Sequence, residues 1–148
     1  MITIKNTQRK ITINVTQLKK NIAKILTHLE YEDYDLGLWI TTNQTIRKFN
    51  KKYRDKNKAT GVLSFAYHPL LKPEERINPL SEADKNLGDI IISPEFIKKE
   101  APTWDQTFQK RLTETIVHGI CHLLGHSHKE DTQFEKMQKK EAELLKII

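Results

Sequence analysis

Apolar residues recur along this 148-residue chain at two different spacings, and the switches between them mark out its elements. Ile2 and Ile4, then Ile11, Ile13 and Val15, alternate with polar residues, as strands with one buried face do. From Val15 the spacing lengthens. Leu18, Ile22, Ile25, Leu26 and Leu29 fall on one side of an amphipathic helix over residues ~15–29. Leu36, Leu38 and Ile40 restore a period of two. Thr42 or Asn43 can cap a second helix carrying Ile46, Phe49 and Tyr53 on one face, and that spacing assigns Tyr53 to the core. Val62–Phe65 is a short apolar strand.

Residues 68–86 hold three of the five prolines and read as an irregular surface loop, of a length more often functional or mobile than idle. Leu87–Ser93 is a strand whose continuous apolar run predicts burial on both faces. Ser93 and Pro94 open a short helix. Ala101, Pro102 and Thr103 start a long one, with Trp104, Phe108, Leu112, Ile116 and Leu123 inward. Thr132 and Glu135 have the spacing of a capping box and begin a last helix bearing Phe134, Met137, Leu144 and Leu145. Strands and helices are interspersed without repeats or linkers, so residues 1–148 are expected to form a single α/β or α+β domain.

Composition narrows the class. A chain of this size buries roughly two-thirds of its unfolded surface, enough for a sizeable core. A single cysteine excludes a disulfide framework and a four-cysteine zinc site, and it fits a reducing cytosol. No run approaches the ~18 apolar residues of a spanning helix, and the polar N-terminus lacks a signal peptide's apolar core. A cytoplasmic protein without a membrane partner is expected.

The net charge of +6 is uneven. Residues 1–28 hold six basic residues and no acids, whereas residues 47–58 hold seven against Asp55 alone. Residues 59–148 carry 12 basic and 14 acidic residues. Clustered Lys and Arg suit a polyanion such as nucleic acid, although a charge run by itself more often marks a solvated helix face.

Chemistry concentrates elsewhere. Four of the six histidines, His118, His122, His126 and His128, lie within eleven residues. His118 and His122, four apart on a helix, project from one face and can share an ion. Gly125 is the natural helix stop, after which His128 can swing back as a third nitrogen ligand. Three histidines leave a fourth tetrahedral position open, as catalytic zinc requires. Spacing does not choose the metal, but zinc is the commonest occupant of such sites, and it lowers the pKa of bound water toward ~7. His126 is a surface residue, an outer-shell group or an alternative ligand. Cys121 points off the ligand face and reads as a small packed core residue. The ligand spacing is that of metzincin proteases, but those enzymes place a Glu directly after the first His as general base. Here that position is Gly119.

The run His118-Gly119-Ile120-Cys121-His122-Leu123-Leu124-Gly125-His126-Ser127-His128 closely resembles the HGxLHLxGYDH signature of the YbeY endoribonucleases. Asn50, Tyr53 and Arg54, followed by Thr60-Gly61-Val62-Leu63-Ser64-Phe65, are similar to that family's N-x-x-Y-R and T-D-V-L-S-F segments. Leu87-Gly88-Asp89-Ile90 matches its LGDI strand, and residues from Glu130 through Glu141 to Leu145 resemble its C-terminal helix. Matching order covers residues ~36–148.

The resemblance implies an α+β domain with a mixed four-stranded sheet and one zinc ion held by His118, His122 and His128. It implies cleavage of single-stranded RNA, maturation of the small-subunit rRNA 3′ end and late ribosome quality control, with the small subunit and its assembly factors as partners. It also implies a substrate-handling arginine at Arg54. Guanidinium forks match phosphate oxygens, and Arg54 would stabilise charge growing on phosphorus. Lys51, Lys52, Lys56 and Lys58 would hold flanking phosphates, though each singly reads as a solvated lysine. Tyr53 would stack on a base if it is not core. Ser64 and Asp89 fall in or beside strands, where packing or turn roles are at least as natural as substrate contact.

Two departures from the family pattern stand out. His126 and Ser127 replace its Tyr-Asp, whose Asp could orient a ligand imidazole; Ser127 would do so more weakly. Gly61 replaces its Asp after Thr60. Two rival readings remain: a metzincin-like hydrolase acting on a non-RNA substrate, and a non-catalytic ribosome-assembly factor whose metal only stabilises the fold.

Overall fold

The computed structural model describes residues 1–148. Strands β1 (Ile2–Asn6), β2 (Asp35–Ile40), β3 (Val62–Ala66) and β4 (Asn86–Ile92) form one sheet in the order β1-β2-β4-β3. β1, β2 and β4 run parallel and β3 runs antiparallel on the edge beside β4. The sheet is therefore mixed and four-stranded, and with five α-helices the fold is α+β. Helices α1 (Val15–His28), α3 (Pro94–Glu100), α4 (Phe108–Leu123) and α5 (Asp131–Leu145) join the core on one side of the sheet, and α2 (Asn43–Arg54) lies on the other. No helix is long and apolar enough to cross a membrane.

Alternation along the strands divides two cores. Leu36, Leu38, Ile40, Ile90 and Ile92 face the main cluster with α1, α4 and α5. Leu63 and Ile91 point the other way, where Ile46 of α2 seals a small second cluster against them. β4 is interior to the sheet, and all of its residues from Leu87 to Ile92 except Asp89 are buried, as its apolar run predicts.

Several expectations change. Residues 11–15 form no strand. Gln8 bends back instead, its amide donating to the Ile11 carbonyl (2.8 Å) and its carbonyl accepting from the Ile11 N–H (3.0 Å). A side chain thus satisfies the two groups a neighbouring strand would have paired, and Asn14 caps α1 by accepting from Gln17 N–H. The long helix α4 starts at Phe108 rather than near residue 101. Ala101–Trp104 is one 3₁₀ turn stopped by Asp105 in the left-handed region (φ 54°), and Thr107 then caps α4. Trp104 is consequently outside, with the Arg111 guanidinium 4.1 Å from its ring centre. Thr132 caps nothing, because α5 already begins at Asp131, and Phe134 is exposed while Met137 and Leu144 are buried. Tyr53 is also not core, being 49% exposed.

The segment between β3 and β4 is irregular apart from a 3₁₀ turn at Glu82–Asp84, but it is tied down. Arg76 donates to the carbonyls of Leu29 (2.6 Å) and Glu30 (3.2 Å), and the buried Ile77 N–H donates to the Tyr31 hydroxyl (3.0 Å). Its Leu71 carbonyl also presses on the turn after α4. There Gly125 N–H donates to His122 O and His126 N–H donates to Cys121 O, the two bonds of a Schellman stop. Gly125 sits at φ 94°, and a Cβ at that position would fall on the Leu71 carbonyl. Gly125→Ala should therefore cost about 2 kcal/mol of unfolding free energy in urea. Wild-type stability for that variant would show the turn to be slack.

Candidate metal centre

The site is built on the last two turns of α4. His118 and His122 share a face of the helix, and the stop at Gly125 reverses the chain so that His128 returns beside them. One ring nitrogen from each of the three lies within 4.8 Å of the others. The imidazole centres are 4.6 Å apart for His118 and His122, 5.5 Å for His118 and His128, and 5.2 Å for His122 and His128.

Hydrogen bonds choose the tautomers. A carbonyl oxygen only accepts, so His122 Nδ1 carries the hydrogen it donates to His126 O (2.9 Å), and Nε2 is left as a lone pair. His118 Nδ1 faces the Glu141 carboxylate at 3.4 Å, which likewise frees its Nε2. The two Nε2 atoms stand 3.0 Å apart. Two lone pairs at that distance repel unless a cation lies between them, so the donor set fits a divalent ion that accepts imidazole. Burial first, and the adjacent His118 second, push the His122 pKa down to about 4, which keeps the ring in its neutral, ligating form.

His126 is not part of the ligand set. Its ring is 4% exposed, with Nδ1 unpartnered, and its contribution to the site is its backbone carbonyl on His122. Ser127 orients no imidazole either; its hydroxyl donates to Gln133 Oε1 (2.7 Å) on α5. The carboxylate beside a ligand histidine comes from Glu141 instead. Helical spacing is the only signal the sequence held for this, since Glu141 lies one turn beyond the buried Met137. Cys121 is fully buried, and burial raises its thiol pKa well above the ordinary value, so it is packing and not a thiolate ligand.

The three histidines open into a cleft of about 1340 Å³, and Arg54 lines the same cleft. Arg54 is the last residue of α2, where Asp55 in the left-handed region ends the helix. Its Nη2 donates to the Ser64 carbonyl (2.8 Å), its Nη1 to the Tyr53 carbonyl (3.3 Å), and its guanidinium lies 5.1 Å from the Phe65 ring centre. Ser64 in turn donates its hydroxyl to Gly119 O (3.1 Å). One residue of β3 thus ties the arginine to the histidine helix. Lys56, Lys58 and Lys129 also line the cleft, whereas Lys51 and Lys52 lie outside it. Gly61 abuts Phe96, Ile97 and Glu100 beyond the histidines, and Asp89 faces the opposite side of the sheet.

The position of Gly119 bears on the chemistry. A Cβ there would sit 3.2 Å from Ile90 and from the Ser64 hydroxyl, so α4 is pressed onto the sheet at the residue where metzincin proteases carry their glutamate. A side chain there would have to push Ile90 and Ser64 back by a few tenths of an ångström, and this chain has none to serve as that base.

Comparison with known proteins identifies the family. The family model for endoribonuclease YbeY matches residues 3–148. A human protein named endoribonuclease YbeY is 36% identical over 144 residues, spanning 97% of this chain and 86% of its own. The protein of that name from Geobacter metallireducens is 34% identical over 149 residues, spanning 99% and 95%. The solution structure of TM1509 from Thermotoga maritima is 27% identical, with a TM-score of 0.61 over 99% of this chain and 90% of that one. With its three-histidine centre and Arg54 on one cleft, the chain belongs to the YbeY endoribonuclease family.

Proposed function

We propose that this protein is a zinc-dependent endoribonuclease that hydrolyses phosphodiester bonds of single-stranded RNA in the cytoplasm. One ion would be held by His118, His122 and His128. The substrate we propose is the small-subunit rRNA 3′ end, in maturation and late ribosome quality control, with the small subunit and its assembly factors as partners, as the resemblance of the histidine, Arg54 and LGDI segments implies. The observation that carries the reading is that three converging imidazole nitrogens and a guanidinium share one cleft.

A zinc ion held there would supply Lewis acidity at a phosphate oxygen and acidify a water. The protein's own contribution is positional. His126 O and Glu141 fix the ring orientations of His122 and His118. Arg54 is permanently protonated and is no general base. Two of its N–H groups are held by backbone carbonyls, and the rest are free to bind a scissile phosphate and stabilise charge developing on it. Lys56, Lys58 and Lys129 would hold the flanking phosphates. Lys51 and Lys52 would act only on RNA that leaves the cleft. The lack of a carboxylate at Gly119 weighs against a peptidase.

Three measurements test this assignment. His118→Ala should abolish zinc-stimulated cleavage of single-stranded RNA, and Arg54→Ala should slow it about 10²–10³-fold with zinc still bound. Metal-stripped protein that cuts as fast as the zinc-loaded form would refute the mechanism. Glu141→Gln should weaken zinc binding by about tenfold in competition with a chromophoric chelator, because it loosens His118. An unchanged affinity would remove Glu141 from the centre. The pKa of His122 predicts the third. The unfolded chain takes up that proton near 6.5 and the folded chain only near 4. Between those values the unfolded state binds more protons, so chelator-treated protein should lose thermal stability as pH falls from 6.5 toward 4. His122→Gln should flatten that dependence, and equal slopes for the two proteins would contradict it.

A further inference from the structure

The sheet face opposite α4 is only partly covered. α2 closes one end, and beyond it a groove of about 660 Å³ opens across the strands. Four aromatic rings run along it in continuous contact. Trp39 and Phe49 meet edge to face at 5.4 Å, Phe49 and Tyr53 stack at 6.0 Å, and Tyr53 meets Phe65 edge to face at 5.3 Å. In a core such a run would be sealed. Here Tyr53 is half exposed and the other three are only partly buried.

Cations stand over this run. Lys5 Nζ is 5.7 Å from the Trp39 ring centre, Lys52 Nζ is 5.2 Å from that of Tyr53, and the Arg54 guanidinium is 5.1 Å from that of Phe65. The groove adjoins the metal cleft at β3, because Phe65 lines both and the Arg54 guanidinium lies over its ring. The floor is flat at Gly37, where a Cβ would strike Asp89. Of the two carboxylates in the groove, Asp35 is paired with the Met1 ammonium (2.9 Å) and Asp89 has no partner.

We propose that this groove is a nucleobase-stacking subsite for the stretch of single-stranded RNA that flanks the phosphate bound in the metal cleft. The inference rests on the endoribonuclease reading above and adds where the bases go. Every base has a π-face, so a line of rings accepts any sequence, and the three cations lie where the phosphates of stacked nucleotides would pass. The unpaired Asp89 repels phosphates and accepts hydrogen bonds from amino groups, which favours bases inward and backbone outward. Paired bases already stacked in a duplex cannot enter, so the groove would itself favour single strands. Lys52, outside the cleft, stands over this track.

The test compares a labelled single-stranded RNA with an abasic ribose-phosphate of the same length, at one salt concentration, in a His118→Ala background that leaves the RNA intact. Tyr53→Ala should weaken binding of the base-bearing strand about tenfold and leave that of the abasic strand where it was. Tyr53→Phe, which keeps the ring, should restore it. Equal losses on both strands, or no loss on either, would overturn the subsite and leave the groove to another occupant, a protein surface included. A second readout needs no groove variant. With Trp104→Phe, Trp39 is the sole tryptophan, and its fluorescence should be quenched by the base-bearing strand but not by the abasic one; quenching by both would count against the proposal. Cleavage by zinc-loaded wild type is followed separately. Base-dependent binding without cleavage would sink the nuclease reading and support the groove, whereas cleavage with base-independent binding would do the reverse.

Discussion

The close approach of α4 to the sheet at Gly119 is the contact on which the site depends. Because residue 119 has no side chain, the helix backbone comes near enough for Ser64 of β3 to donate to the Gly119 carbonyl. That bond, together with the buried Ile116, Val117 and Ile120, holds the helix against the sheet. His118 precedes Gly119 and His122 follows one turn later, so their height above the sheet is set by it. The carbonyl of the same Ser64 receives Arg54, so the guanidinium is referenced to the histidines through a single residue. The α4 C-terminus is fixed just as firmly. Gly125 turns the chain against the Leu71 carbonyl, and the reversal delivers both His128 and the His126 carbonyl that selects the His122 tautomer.

Electrostatics divides along the same lines. The C-terminal half that carries the histidines has a slight acidic surplus, and the basic surplus lies upstream in β1, α1 and α2. The fold then returns part of that charge to the site. Lys56 and Lys58, just past α2, reach the cleft, and Arg54 stands at its rim, while Lys5 and Lys52 remain over the open face of the sheet. A polyanion bound at the metal centre would therefore meet positive charge on both sides of β3. Its bases would meet aromatic rings on only one.

Local features were legible in the chain, and features made by distant partners were not. The strand periods at Leu36–Ile40 and Leu87–Ile92, the helical period from Val15, the stop at Gly125 and the histidine spacing all depend on residues within one or two turns of each other. Residues 11–15 alternate as a strand does, but no neighbouring strand is there, and Gln8 takes up the exposed backbone groups. Trp104 and Phe134 have inward spacing only if their helices begin where the sequence suggests. Asp105 leaves Trp104 in a 3₁₀ turn off α4, and Phe134 is exposed in the first turn of α5 although it stands three residues before the buried Met137. Glu141 needed α5 to be packed against α4 before it could be seen beside His118. Ser127 illustrates the converse, for its sequence position suggested an orienting role that its bond to Gln133 precludes.

The absence of a base after His118 goes with the close packing of α4 on the sheet. A side chain at 119 would press on Ile90 and on the Ser64 hydroxyl, the group that bonds the helix to the residue whose carbonyl receives Arg54. A peptidase needs that glutamate more than it needs the arginine, since its transition state gathers one negative charge on a carbonyl oxygen that a metal can meet alone. Phosphodiester hydrolysis gathers charge on a group already anionic, where a fixed guanidinium contributes most. The same metal ligands could serve either reaction, and the groups set around them are what differ. The glycine at 119 takes the arrangement that keeps the arginine.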